Sequence, residues 1–215
     1  MKERPILFSA PMVRAILDGR KTQTRRIVKP NPDIAGHFHD WTPDRKDLWP
    51  RWAPWQVGDH LWVRETWWQA HSYPGTLPCG EADTRTGSRM IHYAAVCDPE
   101  NTANRHYPEG LSGGAISAPD PYAQWVKRPS IHMPRWASRL TLLVKSVRVE
   151  RLQDISPEDV EAEGVQMPPS ELYPNVNRGW KLKRHFQDLW ESINGEGSWD
   201  ANPWVWVVEF EKVAA

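Results

Sequence analysis

The sequence predicts an α+β fold, on three observations. An amphipathic helical pattern stands near the start of the chain, two further helical patterns follow one another late in it, and β-branched strand patterns flank that late pair. Strands and helices that cluster in this way, rather than alternating one by one, belong to the α+β class.

Residues 10–18 read as the first helix. Ser9 and Pro11 suit its start, Met12, Ala15 and Ile16 form an apolar face, and Gly19 suits the position after its end, where φ turns positive. Residues 28–56 are rich in Pro, Asp and Trp without a sustained period, which predicts a loop or excursion. Val57-Gly58-Asp59-His60 reads as a turn into a strand over 61–67, where Leu61, Val63 and Glu65 alternate against Trp62, Arg64 and Thr66. A short strand at 90–96 lies between 69–88 and 98–124, both loaded with Gly, Pro, Ser, Thr and Asp. Long irregular stretches in a compact domain usually serve a function, so this region is expected to be an insertion over a binding face.

Residues 140–149 form a β-branched strand leading to Arg151. Ser156-Pro157-Glu158-Asp159 is a helix start with Ser at the N-cap, Pro at the first position and acids against the helix dipole; that helix ends by Gly164. A longer helix is expected over about 178–193, with Trp180, Phe186, Leu189, Trp190 and Ile193 as its apolar positions, and a closing strand over Trp204–Lys212. The expected organisation is one domain, 1–215, with insertions at about 28–56 and 68–130.

Formal net charge is zero, which excludes a global field drawing the chain to nucleic acid, but the charge is unevenly placed. Residues 1–30 hold eight Lys and Arg against Glu3 and Asp18, and residues 127–151 hold seven against Glu150. An acidic block follows: Asp154, Glu158, Asp159, Glu161 and Glu163. Two basic segments in a neutral chain can still present one positive face. Cys79 and Cys97 make neither a disulfide framework nor a metal site, and no Cys/His spacing fits zinc, so neither metal nor cofactor is expected. No signal peptide and no apolar run of membrane-spanning length are seen, which predicts a cytoplasmic protein without a membrane partner. The 14 Trp are expected to build core for the most part, with some left as flat faces for stacking bases.

The densest chemistry lies in Gly19-Arg20-Lys21-Thr22-Gln23-Thr24-Arg25-Arg26. Clustered cations repel one another unless they are solvated or an anion such as phosphate sits among them. Two readings of the stretch are open: a solvated basic loop, or a site where Lys21 and Thr24 share one face of a turn. A second constellation, Ser130–Arg139, sets His132, Arg135, Trp136 and Arg139 just before a strand, as the lip of a nucleic-acid groove would. The alternative is a surface loop pinned by Trp136 in the core. Glu65, among apolar residues on its strand, reads as a buried partner for an arginine of the box, or as a group recognising the exocyclic amine of a base.

Three pieces together resemble the ASCH family. Gly19–Arg25 is similar to that family's Gly-x-Lys-x-x-x-Arg box, Val57–Glu65 to its Gly-Asp-x-Leu-x-Val turn and strand, and Ile155–Val165 to its acidic helix ending in Glu-Gly. The resemblance implies a small PUA-like β-barrel with flanking helices, here with long loop insertions, and contact with RNA or a modified nucleoside. The chain is longer than a minimal member and looks most like the long versions of bacterial and phage genomes. One branch of the family hydrolyses the amide of N4-acetylcytidine, and resemblance to it at the box implies Lys21, Thr24 and Glu163 as the catalytic set, with Glu161 or Glu158 as alternatives to Glu163.

Amide hydrolysis needs a nucleophile, a base and a holder for the oxyanion. In that scheme Thr24 attacks, Lys21 is the base, Glu163 relays the proton, and Arg25 or Arg26 stabilises the developing charge. Neutralising a lysine at pH 7 costs roughly 4–5 kcal/mol, which nearby Arg20, Arg25, Arg26 and burial would supply. The expected cleft is lined by Lys21, Thr24, Arg25, Arg26, Glu65, Arg135 and Glu163, with RNA or a modified pyrimidine nucleoside as partner. Two further readings stand beside hydrolysis: a non-catalytic RNA-binding regulator or reader of modified nucleic acid, and a ribonuclease.

Overall fold

The computed structural model describes residues 2–29, 43–72, 91–96, 123–166 and 178–213. Cys79, Cys97, residues 30–42 of the first predicted excursion and most of the second lie outside the described residues. The architecture is mixed, with α-helices and two β-sheets, which places the chain in the α+β class. In chain order the elements are β1 (Glu3–Leu7), α1 (Ala10–Leu17), β2 (Gln23–Ile27), β3 (His60–Arg64), β4 (Trp67–Ser72), β5 (Ile91–Tyr93), β6 (Ala123–Arg128), β7 (Thr141–Arg151), α2 (Pro157–Ala162), α3 (Arg178–Asn194) and β8 (Trp204–Lys212). One sheet has five strands in the order β1-β3-β7-β8-β2, the other three in the order β5-β4-β6. Among the described residues the larger sheet is not closed into a barrel.

The chain divides into two compact units: Met1–Arg4, Ala15–Leu61 and Leu142–Ala215 form one, and Pro5–Arg14 with Trp62–Thr141 the other. In the first unit, Leu152, Ile155, Val160, Leu182, Phe186, Trp190, Trp199, Val205 and Val207 make a continuous apolar core, with Ile27 and Val165 against it. Phe186 lies 6.1 Å from both Trp190 and Trp199, the second pair edge to face. The second unit has a smaller core of Trp67, Met133 and Ala137, flanked by Ile91 and Tyr93.

Local chemistry sets the element boundaries. Gly19, two residues past the end of α1, takes φ +74, and its N–H donates to the Ile16 carbonyl, a glycine helix end of the expected kind. Ser156 Oγ accepts the Asp159 N–H at 3.1 Å and Pro157 opens α2, so the capping logic holds at both positions. The strand beginning at His60 buries Leu61 and Val63 and leaves Trp62 and Arg64 partly exposed, as the alternation requires. Before it, Gly58 has φ +88, and the Asp59 carboxylate accepts the N–H groups of Lys2 and Gln56. Burial alone would raise the Asp59 carboxyl, but those donors and Arg4 outweigh it and hold it below the usual range.

Several expectations shift. The basic box is not a curled turn: Gln23–Ile27 is a strand, β2, antiparallel to β8 with Thr24 opposite Val208 and Arg25 opposite Val207. The first strand, β1, precedes the helix predicted to open the fold. Residues Pro43–Trp52, read as loop, form a 3-10 helix whose Trp49 is buried and meets Trp204 edge-on at 5.1 Å. Its three-residue period escapes a search at 3.6. Along α3 the buried positions are Lys181, Leu182, Phe186 and Trp190, whereas Trp180 is 64% exposed and Ile193 also faces solvent. Trp180 is two residues from Leu182 and so falls off the stripe that an i, i+4 spacing lines up.

Candidate functional site

The first unit brings the box onto the acidic helix. Lys21 and Glu163 form an isolated antiparallel β-bridge, and Thr22 N–H donates to the Ala162 carbonyl at 2.8 Å. Gly164, with φ +84, follows directly; a Cβ there would lie 2.9 Å from the Ala15 Cβ and 3.0 Å from the Lys21 Cβ. Only glycine lets the end of α2 come this close to the box.

Lys21 is 2% exposed and Glu163 6%. The Lys21 ammonium donates to Glu163 Oε2 at 2.7 Å, to the Gln23 carbonyl at 2.8 Å and to the Glu163 carbonyl at 3.0 Å. Three acceptors match its three hydrogens. Burial nonetheless pulls the proton affinity of Lys21 below the ordinary lysine value; Glu163 opposes that, and Arg26 and Arg25 add to it. Of the three acids considered for this place, Glu163 is the one that meets Lys21, while Glu161 pairs with Arg178 and Glu158 is exposed.

Arg25 extends the cluster. It donates to Glu163 Oε1 at 3.3 Å, Asp159 Oδ2 at 2.7 Å and Glu150 Oε2 at 3.2 Å. Arg148, from β7, reaches both oxygens of Asp159 at 3.1 Å, Glu150 Oε1 at 2.6 Å, and Glu209 of β8. The two basic segments therefore do meet, but around the carboxylate of Asp159 and not as an open positive surface. Burial would raise the Asp159 carboxyl, and Arg25 and Arg148 reverse this and hold it low. Burial would lower Arg148, and Glu150, Asp159 and Glu209 reverse that. Burial lowers Arg26, with Glu163 in partial opposition.

Strand alternation sorts the box into two faces. Gln23 and Arg25 point to the face of α2, where Gln23 Nε2 donates to the Asp159 carbonyl at 2.9 Å. Thr24 and Arg26 take the opposite face, Thr24 buried and in register with Val208. Arg20 donates to the Gly164 carbonyl at 3.3 Å and pairs with Asp18 at 2.7 Å. A cavity of about 680 Å³ opens beside the Lys21–Glu163 bridge, lined among the described residues by Arg20, Glu161, Gly164, Gln166, Arg178 and Leu182, with Ala162 and Val165.

Glu65, His132, Arg135 and Trp136 belong to the second unit. Glu65 is 1% exposed and bound in a fork by Arg139, with Nε–Oε1 2.9 Å and Nη2–Oε2 3.0 Å. Its partner is thus Arg139, not an arginine of the box. The Arg139 guanidinium lies 4.0 Å above the Tyr93 ring, and the Tyr93 hydroxyl donates to the Ala137 carbonyl at 3.0 Å. Residues 130–137 form two 3-10 turns that expose Ile131, His132, Arg135 and Trp136. Trp136 is 48% exposed and stands edge-on to the buried Trp67, with centroids 6.0 Å apart.

From the sequence, Asp159 counts as a first-turn acid, Arg148 and Glu150 enter only the charge of their segment, and Glu209 has no role. Asp159 and Glu163 are four apart on one helix face, and Arg148 and Glu150 share a strand face; both spacings were available as signals. Among the described residues no group of His, Cys, Asp or Glu is arranged to hold a metal ion, and no helix is long and apolar enough to cross a membrane. The chain matches no family model, no curated protein and no solved structure.

Proposed function

We propose that this chain binds RNA or a modified pyrimidine nucleoside in the cavity beside the Lys21–Glu163 bridge. The observation that carries the reading is an open polar hollow walled by Arg20, Ala162 and Gly164, the chain neighbours of the buried Lys21–Glu163 pair, which itself stays behind that wall. Arg20 and Arg178 offer donors to phosphate or base oxygen, and Glu161 and Gln166 offer acceptors to an exocyclic amine. The reading includes the ASCH resemblance and a PUA-like barrel as the framework. Binding of single-stranded RNA, cytidine and N4-acetylcytidine to the full chain, followed by calorimetry at several salt concentrations, tests it. RNA affinity should fall steeply with salt, and Arg20→Ala with Arg178→Ala should weaken it. No binding of any of the three ligands overturns it.

A second reading, hydrolysis of N4-acetylcytidine to cytidine and acetate, is favoured by the lowered proton affinity of Lys21 beside a carboxylate. The Thr24 hydroxyl would lose its proton to neutral Lys21 and attack the acetyl carbon. The C–N bond then breaks with that proton passing to N4, and water cleaves the Thr24 ester to acetate. Two features weigh for binding first: the Lys21 ammonium is already saturated with acceptors, and Thr24 lies on the strand face away from Gln23 and Arg25. Cytidine release by the wild type and none by Lys21→Ala supports hydrolysis; equal release by both refutes this scheme. A ribonuclease would instead cut unmodified RNA.

A further inference from the structure

The two oxygens of Glu163 are divided between two cations: Oε2 lies 2.7 Å from Lys21 Nζ and Oε1 lies 3.3 Å from Arg25 Nη1. The other end of the Arg25 fork is held by Asp159 and Glu150, and Asp159 is itself gripped by Arg148. The Arg25 side chain is fully buried, so its planar fork is fixed by carboxylates from α2 and β7. We infer that Arg25 is a positioning residue for Glu163: by fastening Oε1 to a guanidinium anchored on Asp159 and Glu150, it leaves one oxygen to face Lys21.

A guanidinium is suited to this because its N–H groups diverge in a rigid plane and can bridge several carboxylates at once, whereas an ammonium is a point charge on a flexible stem. With the guanidinium gone, Glu163 is free to turn both oxygens onto Lys21, and the pair binds its proton more tightly. The charged groups that act on the pair are Arg25 and Arg26 of β2; Arg25 is held in turn by Asp159 of α2 and Glu150 of β7, and Arg148 of β7 binds those two acids and Glu209 of β8. Removing Arg25 takes away a cation that disfavours the Lys21 proton, so the electrostatic and the geometric effects have the same sign.

The test is side-chain NMR of the full chain with labelled lysine, the Lys21 Nζ signal being assigned by its loss in Lys21→Arg. In Arg25→Gln the Lys21 titration midpoint should move to higher pH, and in Arg25→Lys by less. Arg25→Lys, which keeps the charge and loses the fork, reads the geometric effect alone and serves if Arg25→Gln does not fold. An unchanged midpoint in the folded variants overturns the inference. Its activity arm rests on the hydrolysis reading: Arg25→Gln should lower kcat about 100-fold with little change in KM, and Arg25→Lys should restore part of it. A wild type without turnover sinks hydrolysis alone, since the NMR comparison decides the role of Arg25 without substrate.

Discussion

Lys21 and Glu163 are joined twice, by a β-bridge between their backbones and by a 2.7 Å contact between ammonium and carboxylate. With both side chains almost wholly buried, removing one partner leaves a charge that water cannot reach. Lys21→Met should therefore cost about 3–5 kcal/mol in urea unfolding, while Lys21→Met combined with Glu163→Leu should recover much of it. A double variant as weak as the single one would show that the loss lies in packing and not in stranded charge.

The same contrast separates two ion pairs elsewhere. Arg139 grips the buried Glu65 in a fork, whereas Lys145 and Glu211 pair at 3.2 Å with both side chains more than half exposed. Arg139→Ala should cost about 3–5 kcal/mol. Lys145→Ala should cost under about 1 kcal/mol. Denaturant midpoints of the two variants check this, and comparable losses would refute it.

Gly164 and Gly195 both have positive φ, but only at Gly164 would a Cβ meet other atoms, Ala15 and Lys21. Gly195→Ala should lose about 1–2 kcal/mol from backbone strain. Gly164→Ala should lose about 1–3 kcal/mol more from overpacking. Each kcal/mol lowers Tm by about 2–4 °C in a chain of this size. Equal Tm losses would mean that the tight approach of α2 to the box can relax.

Stability should depend on pH with two opposite signs. The Asp159 carboxyl is held low in the fold, so it stabilises above its unfolded value of about 3.9, and that contribution is lost as pH falls through the folded value. The Lys21 ammonium is also lowered, which means the unfolded chain holds that proton more tightly; stability contributed by this group rises with pH between the folded and unfolded values. Unfolding midpoints across pH should show a shallower acid limb in Asp159→Asn and no alkaline gain in Lys21→Met. An acid limb unaltered by Asp159→Asn would remove Asp159 from the account.

Thr24 separates binding from chemistry. Thr24→Val should leave the fold and RNA affinity nearly unchanged, because the residue sits against Val208 in the β2–β8 ladder. Any deacylation should vanish in Thr24→Val and persist in Thr24→Ser. Turnover that survives in Thr24→Val would exclude it as nucleophile.

Much of the frame was legible because it is written in local signals. The cap at Ser156, the glycine after α1, the alternation of Leu61, Val63 and Glu65, and the closing strand Trp204–Lys212 follow from spacing alone. The box was misread as a turn because its strand, Gln-Thr-Arg-Arg-Ile, has polar residues on both faces; its pairing with β8 overrides a weak local pattern. Buried charges evade a hydropathy reading in the same way. Nothing local says that Arg25 neutralises Asp159, since the two are 134 residues apart in the chain.

The register between β2 and β8 carries a consequence for how faithfully the chain aligns as it folds. A slip by one residue that set Thr24 where Arg25 stands would turn Gln23 and Arg25 away from α2. Asp159 would keep Arg148, but Glu163 would be left without its guanidinium. That misaligned pairing therefore carries an electrostatic penalty that the correct one escapes, and the charged cluster proofreads the seam on which it is built.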